Sequence, residues 1–389
     1  MNEIVYDMIY LLGCGVNECK AAETIVRNYK GEENRKKLEM LHEVCRAHFV
    51  DALTGTVLKR AGVRLPVQWE ESIAKAIRKV ILFDAERTKI FSFMDQKRIW
   101  HMPLKGVILK EFYPSIGMRQ MSDNDILFDA DYASEVHDYM ESQGYETVAY
   151  GRGNHDVYEK PPVYNFEMHT ALYGAGHREA WVQYYQDIRS RLIPDTESGY
   201  ACHMRDEDFY VYIISHAYKH YSSSGTGVRT LLDFYAYLQK KETMLDFEYI
   251  HTECKKLGIE EFEEKSRRLC KDIFLLESNA QYAAKRQFLL DEEATTMLWY
   301  YISSGVYGTK KQQIENQLQT YREKNRKSAK FQYIWNRLFP GMEVYRHYPF
   351  SKHKWTLPLC WVYRCLCVLS DKTRRAGVKQ EAKLLKKIE

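Results

Sequence analysis

Two aspartates set two positions apart, Asp123 and Asp125 in Ser122-Asp-Asn-Asp-Ile-Leu-Phe128, have the residue type and spacing for phosphoryl chemistry. Side chains alternate along an extended strand, so both would project from one face. Their Cα atoms would lie about 6.6 Å apart, at about 3.3 Å per residue. Two carboxylates so placed can share hard cations, and paired metals about 3.5–4 Å apart serve in-line displacement at phosphorus. Left unneutralised they would repel, which calls for a cation or a basic neighbour. The competing reading is a surface turn, since Asp-Asn-Asp also suits a loop.

Neighbouring segments add to the pair. Upstream, Lys105-Gly106 falls at a strand-to-helix turn. Glycine lets a phosphate approach the backbone, the helix start offers free N–H groups, and Lys105 adds a point charge. Downstream, Asn165-Phe-Glu-Met-His-Thr170 alternates polar and apolar residues, so Glu167 and His169 share a face while Phe166 and Met168 turn to the core. A third carboxylate on a neighbouring strand completes a three-acid cation site; otherwise Glu167 is an exposed strand residue. Asn124, between the two aspartates, suggests a strand start that is little buried. His216 and His220 stand at i and i+4 with no Glu beside His216, so packing between helices is expected rather than zinc. Arg229 and Asp233, also at i and i+4, either pair with each other or leave Arg229, which follows a Gly/Ser loop, to reach a nucleotide or acceptor.

These residues need elements to position them. Residues 1–100 are helical in pattern, with Pro66 before a helix from about Glu70 to Lys97. A short strand follows at 101–106, then a helical segment over 107–112 stopped by Pro114. A strand spans 122–128, and a helix over 131–143 is capped by Asp129 or Asp131 and ended by Gly144. Further strands are expected at 145–150 and 164–172, with 151–162, which holds His155 and Asp156, as a surface loop. From Asp206 the pattern is helical again: 209–221, 228–240, 247–257, 259–276, 279–290 and 292–303. A charged arm covers 310–338, with Lys310, Lys311, Arg322, Lys324, Arg326, Lys327 and Lys330 as a solvated face able to steer an anionic acceptor. The expected fold class is α+β, a small mixed β-sheet with flanking helices plus a large helical C-terminal region. Three regions are expected, at 1–98, 99–205 and 206–389.

Composition narrows the classes. The 389 residues are 45% hydrophobic and 28% charged, which excludes a largely disordered chain. Lys and Arg number 57 against 53 acids, a net charge of +4 that is too balanced for a protein coating nucleic acid. Nine scattered cysteines read as reduced thiols in a cytoplasmic protein rather than a disulfide framework. The N-terminus lacks the basic start of a signal peptide, and the apolar run 357–369 is too short for a bilayer and contains Arg364, so no membrane partner is expected.

Taken together, Leu104-Lys-Gly106, Tyr113-Pro114, Arg119, Ser-Asp-Asn-Asp-Ile-Leu127, Gly144-Tyr145 and Phe166-Glu-Met-His169 resemble the uncharacterised bacterial nucleotidyltransferase family of the polymerase-β-like superfamily. The resemblance runs over roughly residues 75–240, with weaker echoes at His216, Arg229, Asp233 and Leu338-Phe-Pro340. It implies metal-dependent transfer of a nucleoside monophosphate from a triphosphate, by default AMP from ATP, to a hydroxyl of a small molecule, protein or peptide. On that pattern Asp123, Asp125 and Glu167 are the catalytic metal-binding acids, and Lys105, Gly106, Arg119, His169 and Arg229 serve the nucleotide. Mg²⁺, or Mn²⁺ in its place, is the implied ion because every proposed ligand is an oxygen. The chain departs from the superfamily at the phosphate turn, where Lys105-Gly106 replaces a Gly-Ser pair and shifts the burden to the lysine and backbone amides. The alternatives are a catalytically silent nucleotide-binding module on the same fold, and an interaction protein in which the acids are structural.

Overall fold

Alternating apolar residues, Ile126 and Phe128 in one segment and Phe166 and Met168 in another, place two strands side by side in the computed structural model. The structure describes residues 2–195, 199–305, 308–323, 329–339 and 357–388. Five strands form the main sheet: β1 (His101–Pro103), β2 (Asn124–Phe128), β3 (Glu146–Ala149), β4 (His155–Lys160) and β5 (Tyr164–His169). Their order is β1-β2-β5-β4-β3, with β2 and β5 parallel and the other neighbours antiparallel. One face is apolar: Ile126, Phe128, Tyr158, Phe166 and Met168 pack against Ile90 and Met94 of the helix Val67–Gln96 and against Val136 and Met140 of the helix Ala133–Ser142. Each such side chain contributes roughly 1.5–3 kcal/mol when fully buried. Closing that face with helices commits the alternate residues to the other one. A second sheet of two short strands, Ile193–Pro194 and Cys202–His203, lies nearby in sequence. The architecture is α+β, a mixed sheet within many helices.

Two expectations need correction. The segment 151–162 is not all loop: its middle six residues, 155–160, are β4, paired with β5 from His155–His169 to Lys160–Tyr164. Asp156 and Tyr158 are buried by that pairing, and Pro161-Pro162 merely ends the strand at the hairpin. Asn124 is also fully buried rather than lightly covered. Its amide nitrogen donates to Phe83 O at 3.3 Å, and its Oδ1 accepts from Arg87 at 3.2 Å, so the long helix satisfies it.

The chain forms two compact units, residues 1–218 with 227–306, and residues 219–226 with 307–389. The first contains the sheet and the helices Asp206–Tyr218 of the longer Asp206–Tyr221, Val228–Lys241, Phe247–Leu257, Glu260–Phe274, Leu276–Lys285 and Glu292–Ser304. The second holds Lys310–Glu323, Ala329–Leu338, Leu357–Ser370 and Lys372–Lys387, around a small core of Ile314, Leu318, Tyr333 and Ile388. Buried Glu381 ties it together by accepting from Tyr333 (2.7 Å) and Arg337 (2.8 and 3.1 Å). Lys324, Arg326, Lys327 and Pro340 lie outside the described residues. Among the described residues, no helix is long and apolar enough to cross a membrane.

Candidate active site

Register decides which side chains meet. Asp125 on β2 stands opposite Glu167 on β5, and His169, two residues on, stands opposite His155 on β4. Cross-strand partners share a face, and so do residues two apart on one strand. The face turned away from the apolar core therefore presents Asp125, Glu167, His169 and His155, with Asp123 on the approach to β2. The geometry agrees: His169 Nε2 lies 3.0 Å from Asp125 Oδ1 and 3.5 Å from Glu167 Oε2, and His155 Nε2 lies 3.9 Å from the same Glu167 oxygen.

Lys105 reaches the cluster from the turn after β1. Leu104 N donates to Asp125 O at 2.9 Å, which pins that turn beside β2. Lys105 itself takes φ +45°, a left-handed backbone that a residue with a Cβ adopts at a cost of roughly 1–2 kcal/mol. Its Nζ sits 2.6 Å from Asp125 Oδ1 and 3.9 Å from Glu167 Oε2.

The electrostatics separate the two aspartates. Burial by itself would raise the Asp125 carboxyl, but Lys105 and His169 hold it well below the usual carboxylate range. Asp123 has no such contact: burial, then the charges of Asp125 and Glu167, push it upward, with Lys105 and Arg229 only partly offsetting them. Burial pulls the Lys105 ammonium down, yet Asp125 and Glu167 leave it above its ordinary value. Across the site, the Tyr212 hydroxyl on the helix Asp206–Tyr221 is raised by burial and then by the charges of Asp125 and Glu167. Lys79 donates to Ser122 O at 2.9 Å, beside Asp123, and burial lowers it while Asp123 raises it. It also lines a cavity of about 340 Å³ with Arg46, Lys75, Phe49, Gln120 and Met121.

The remaining nucleotide-directed residues are placed differently. Arg119, expected at phosphates, has its fork committed to Asp233: Nε donates to Oδ1 at 2.8 Å and Nη2 to Oδ2 at 2.9 Å. Tyr113 adds a third bond to Asp233 at 2.7 Å. A Cβ on Gly106 would stand 2.5 Å from Arg119 Nη1, so that glycine admits the guanidinium. Arg229 does not pair with Asp233; it donates to Gln120 O at 3.3 Å and lies over the Phe49 ring at 5.2 Å. Burial and the Arg119 charge push it below its ordinary value.

Among the described residues, the three side chains whose ligand atoms close to within 4.8 Å of one another are His155, Glu167 and His169. This donor set fits a divalent cation. Sequence reasoning left out His155, Lys79 and Tyr212. His155 had a signal, the alternation of 155–160 against 164–169, whereas a helix lysine and a helix tyrosine carry none.

No curated protein and no solved structure matches the chain. The uncharacterised nucleotidyltransferase family matches residues 35–275, a span that holds the sheet, the acid cluster and the Arg119–Asp233 pair. That is more than half of the chain, and the protein belongs to the uncharacterised nucleotidyltransferase family.

Proposed function

We propose that the protein transfers a nucleoside monophosphate, by default AMP from ATP, to a hydroxyl of a small molecule, protein or peptide. The observation that carries this reading is the direct register of Asp125 with Glu167 beside Lys105, on the face of the sheet opposite its apolar core. Divalent ions held by Asp123, Asp125 and Glu167, with Mg²⁺ as the default and Mn²⁺ as substitute, would orient the triphosphate and neutralise departing pyrophosphate. Lys105 stabilises negative charge on the phosphates as a point charge that its turn aims into the cluster. Glu167, the more exposed of the two paired acids, accepts the proton of the attacking hydroxyl. Asp125, held ionised by Lys105 and His169, would serve as a ligand. Arg229 and Lys79 add positive potential beside Asp123 without touching it. Nine free cysteines fit a reducing, cytoplasmic setting.

The test is pyrophosphate release from each of the four ribonucleoside triphosphates with Mg²⁺, with α-labelled nucleotide followed into protein and added hydroxyl compounds. Release with ATP that is lost in Asp123→Asn supports the reading. Equal release by parent and variant removes Asp123 from the mechanism. The Lys105–Asp125 contact favours one second reading, a silent nucleotide-binding module, because a lysine already neutralises a metal-binding acid. Calorimetry showing ATP binding without turnover selects it.

A further inference from the structure

Three acids would make an all-oxygen site, but the structure surrounds Glu167 with nitrogen. We propose that His155, Glu167 and His169 form a distinct cation position that takes a borderline divalent transition ion, of the Mn²⁺, Fe²⁺, Co²⁺ and Zn²⁺ class, in preference to Mg²⁺. The proposal deepens the nucleotidyl-transfer reading by replacing Mg²⁺ with this ion at Glu167 while Asp123 and Asp125 keep the default ion, and it rests on that reading only through this shared residue.

Four observations meet here. Register puts both imidazoles and the carboxylate on the same face, from two adjacent antiparallel strands. The Nε2 atoms lie 3.5 and 3.9 Å from one oxygen, Glu167 Oε2, and all three ligand atoms fall within 4.8 Å. Those distances are long for hydrogen bonds. They suit ligands of one ion, since bonds of about 2.0–2.2 Å set neighbouring ligands about 3–4 Å apart. The Nδ1 atoms of His155 and His169 are buried away from the cluster, and Nε2 is the nitrogen each ring turns toward Glu167, that of His169 also lying 3.0 Å from Asp125 Oδ1. Finally, Lys105 lies toward Asp125, 2.6 Å away, against 3.9 Å from Glu167, so the ammonium neutralises Asp125 and leaves Glu167 to the imidazoles, with His169 Nε2 between the two acids. Imidazole suits Zn, Cu, Fe and Ni, while Mg²⁺ prefers carboxylate and water and is reluctant to shed its water shell.

The experiment uses the full chain, stripped with chelator and titrated with Co²⁺ alone. The expected result is one tight equivalent with visible ligand-field bands, displaced by Zn²⁺ but not by a hundredfold excess of Mg²⁺. Two hyperfine-shifted exchangeable proton resonances should appear, one from each buried Nδ1–H. His155→Gln should weaken Co²⁺ binding about tenfold or more, as removal of a ligand must exceed loss of a supporting contact. His155→Asp should restore binding with its preference moved toward Mg²⁺. Asp123→Asn should leave Co²⁺ affinity within threefold even where it stops nucleotide turnover, so the two proposals fail separately. Displacement by Mg²⁺, absence of the two resonances in the parent protein, or unchanged affinity in a folded His155→Gln would each overturn it. The resonances are read on the parent, so the outcome stands even if a variant does not fold.

Discussion

Two buried charge clusters occupy the same unit and contrast in how completely they are satisfied. In one, Asp233 accepts both arms of the Arg119 fork and the Tyr113 hydroxyl, and Gly106 lets the guanidinium close against the backbone. In the other, Asp125, Glu167, His155, His169 and Lys105 converge with mixed distances of 2.6–3.9 Å, and two imidazole nitrogens have no hydrogen-bond partner. A buried polar network normally satisfies all its members, because each unmade bond costs about 1–3 kcal/mol. The first cluster obeys that rule, with every partner of Asp233 supplied by the chain itself. The second departs from it and is left open in that sense, as a site is when part of its charge balance is to come from a ligand.

The largest expected effect tests the open cluster. Asp123→Asn should lower nucleotidyl transfer by about a thousandfold, the scale seen when one preorganised charge-stabilising group is removed. The fold should survive, since Asp123 sits before β2 and makes no ion pair among the described contacts. Steady-state pyrophosphate release read beside a thermal melt checks both halves. Loss of activity together with loss of folding would make Asp123 part of the architecture and erase the contrast.

Next in size comes the closed cluster. Asp233→Ala leaves a buried guanidinium without its counter-ion and should destabilise the protein by roughly 3–5 kcal/mol in urea denaturation. Replacing both partners, Arg119→Met with Asp233→Leu, should recover most of that loss, because the cost lies in the orphaned charge. A double variant as unstable as the single one would show that Arg119 has work beyond pairing.

The contrast also marks what the sequence could reveal. Period-two alternation was enough to put Glu167 and His169 on one face of their strand and to turn Phe166 and Met168 inward, since strand geometry is local, whereas the register that sets Asp125 opposite Glu167 is not. Where a partner is distant in sequence, the signal disappears. Arg119 and Asp233 lie 114 residues apart, so the bidentate pair they form carries no local signal. Asn124 looked exposed because its partners, Phe83 and Arg87, belong to a helix whose packing no pattern announces. β4 was hidden by its ends, since Gly151, Gly153 and Pro161-Pro162 punctuate a segment that pairing with β5 nonetheless straightens. With β4 went His155, and with His155 the nitrogen character of the site.

A smaller effect falls on the glycine between the clusters. The Cβ of Gly106→Ala would meet Arg119 Nη1 at 2.5 Å and Met121 Cε at 3.2 Å. A free arginine would swing aside, but this one is held at both ends of its fork. Overpacking of this kind costs about 1–3 kcal/mol. Chemical denaturation should show that loss in the parent background and much less of it in the Arg119→Met, Asp233→Leu background. An equal loss in both would place the strain in the turn itself.

The smallest expected effect is the pH dependence of the open cluster. In the folded protein the Asp123 carboxyl is raised above its ordinary 3.8 by burial and by Asp125 and Glu167. The unfolded chain thus releases this proton at lower pH than the folded one, and stability falls as pH rises through that window. Asp125 has the opposite sign: its lowered native value contributes stability above 3.8 that is lost as pH falls through the native value. Comparing the parent with Asp123→Asn cancels most of the Asp125 contribution. The variant's advantage in melting temperature should therefore grow as pH rises above about 4 and then level off. Adding Mg²⁺ should narrow the gap by stabilising the parent, because an ion that binds the native state alone shifts the equilibrium toward it. Curves that run parallel at every pH would mean that neither burial nor the charges of Asp125 and Glu167 raise Asp123 in the folded protein, and the open cluster would not include it.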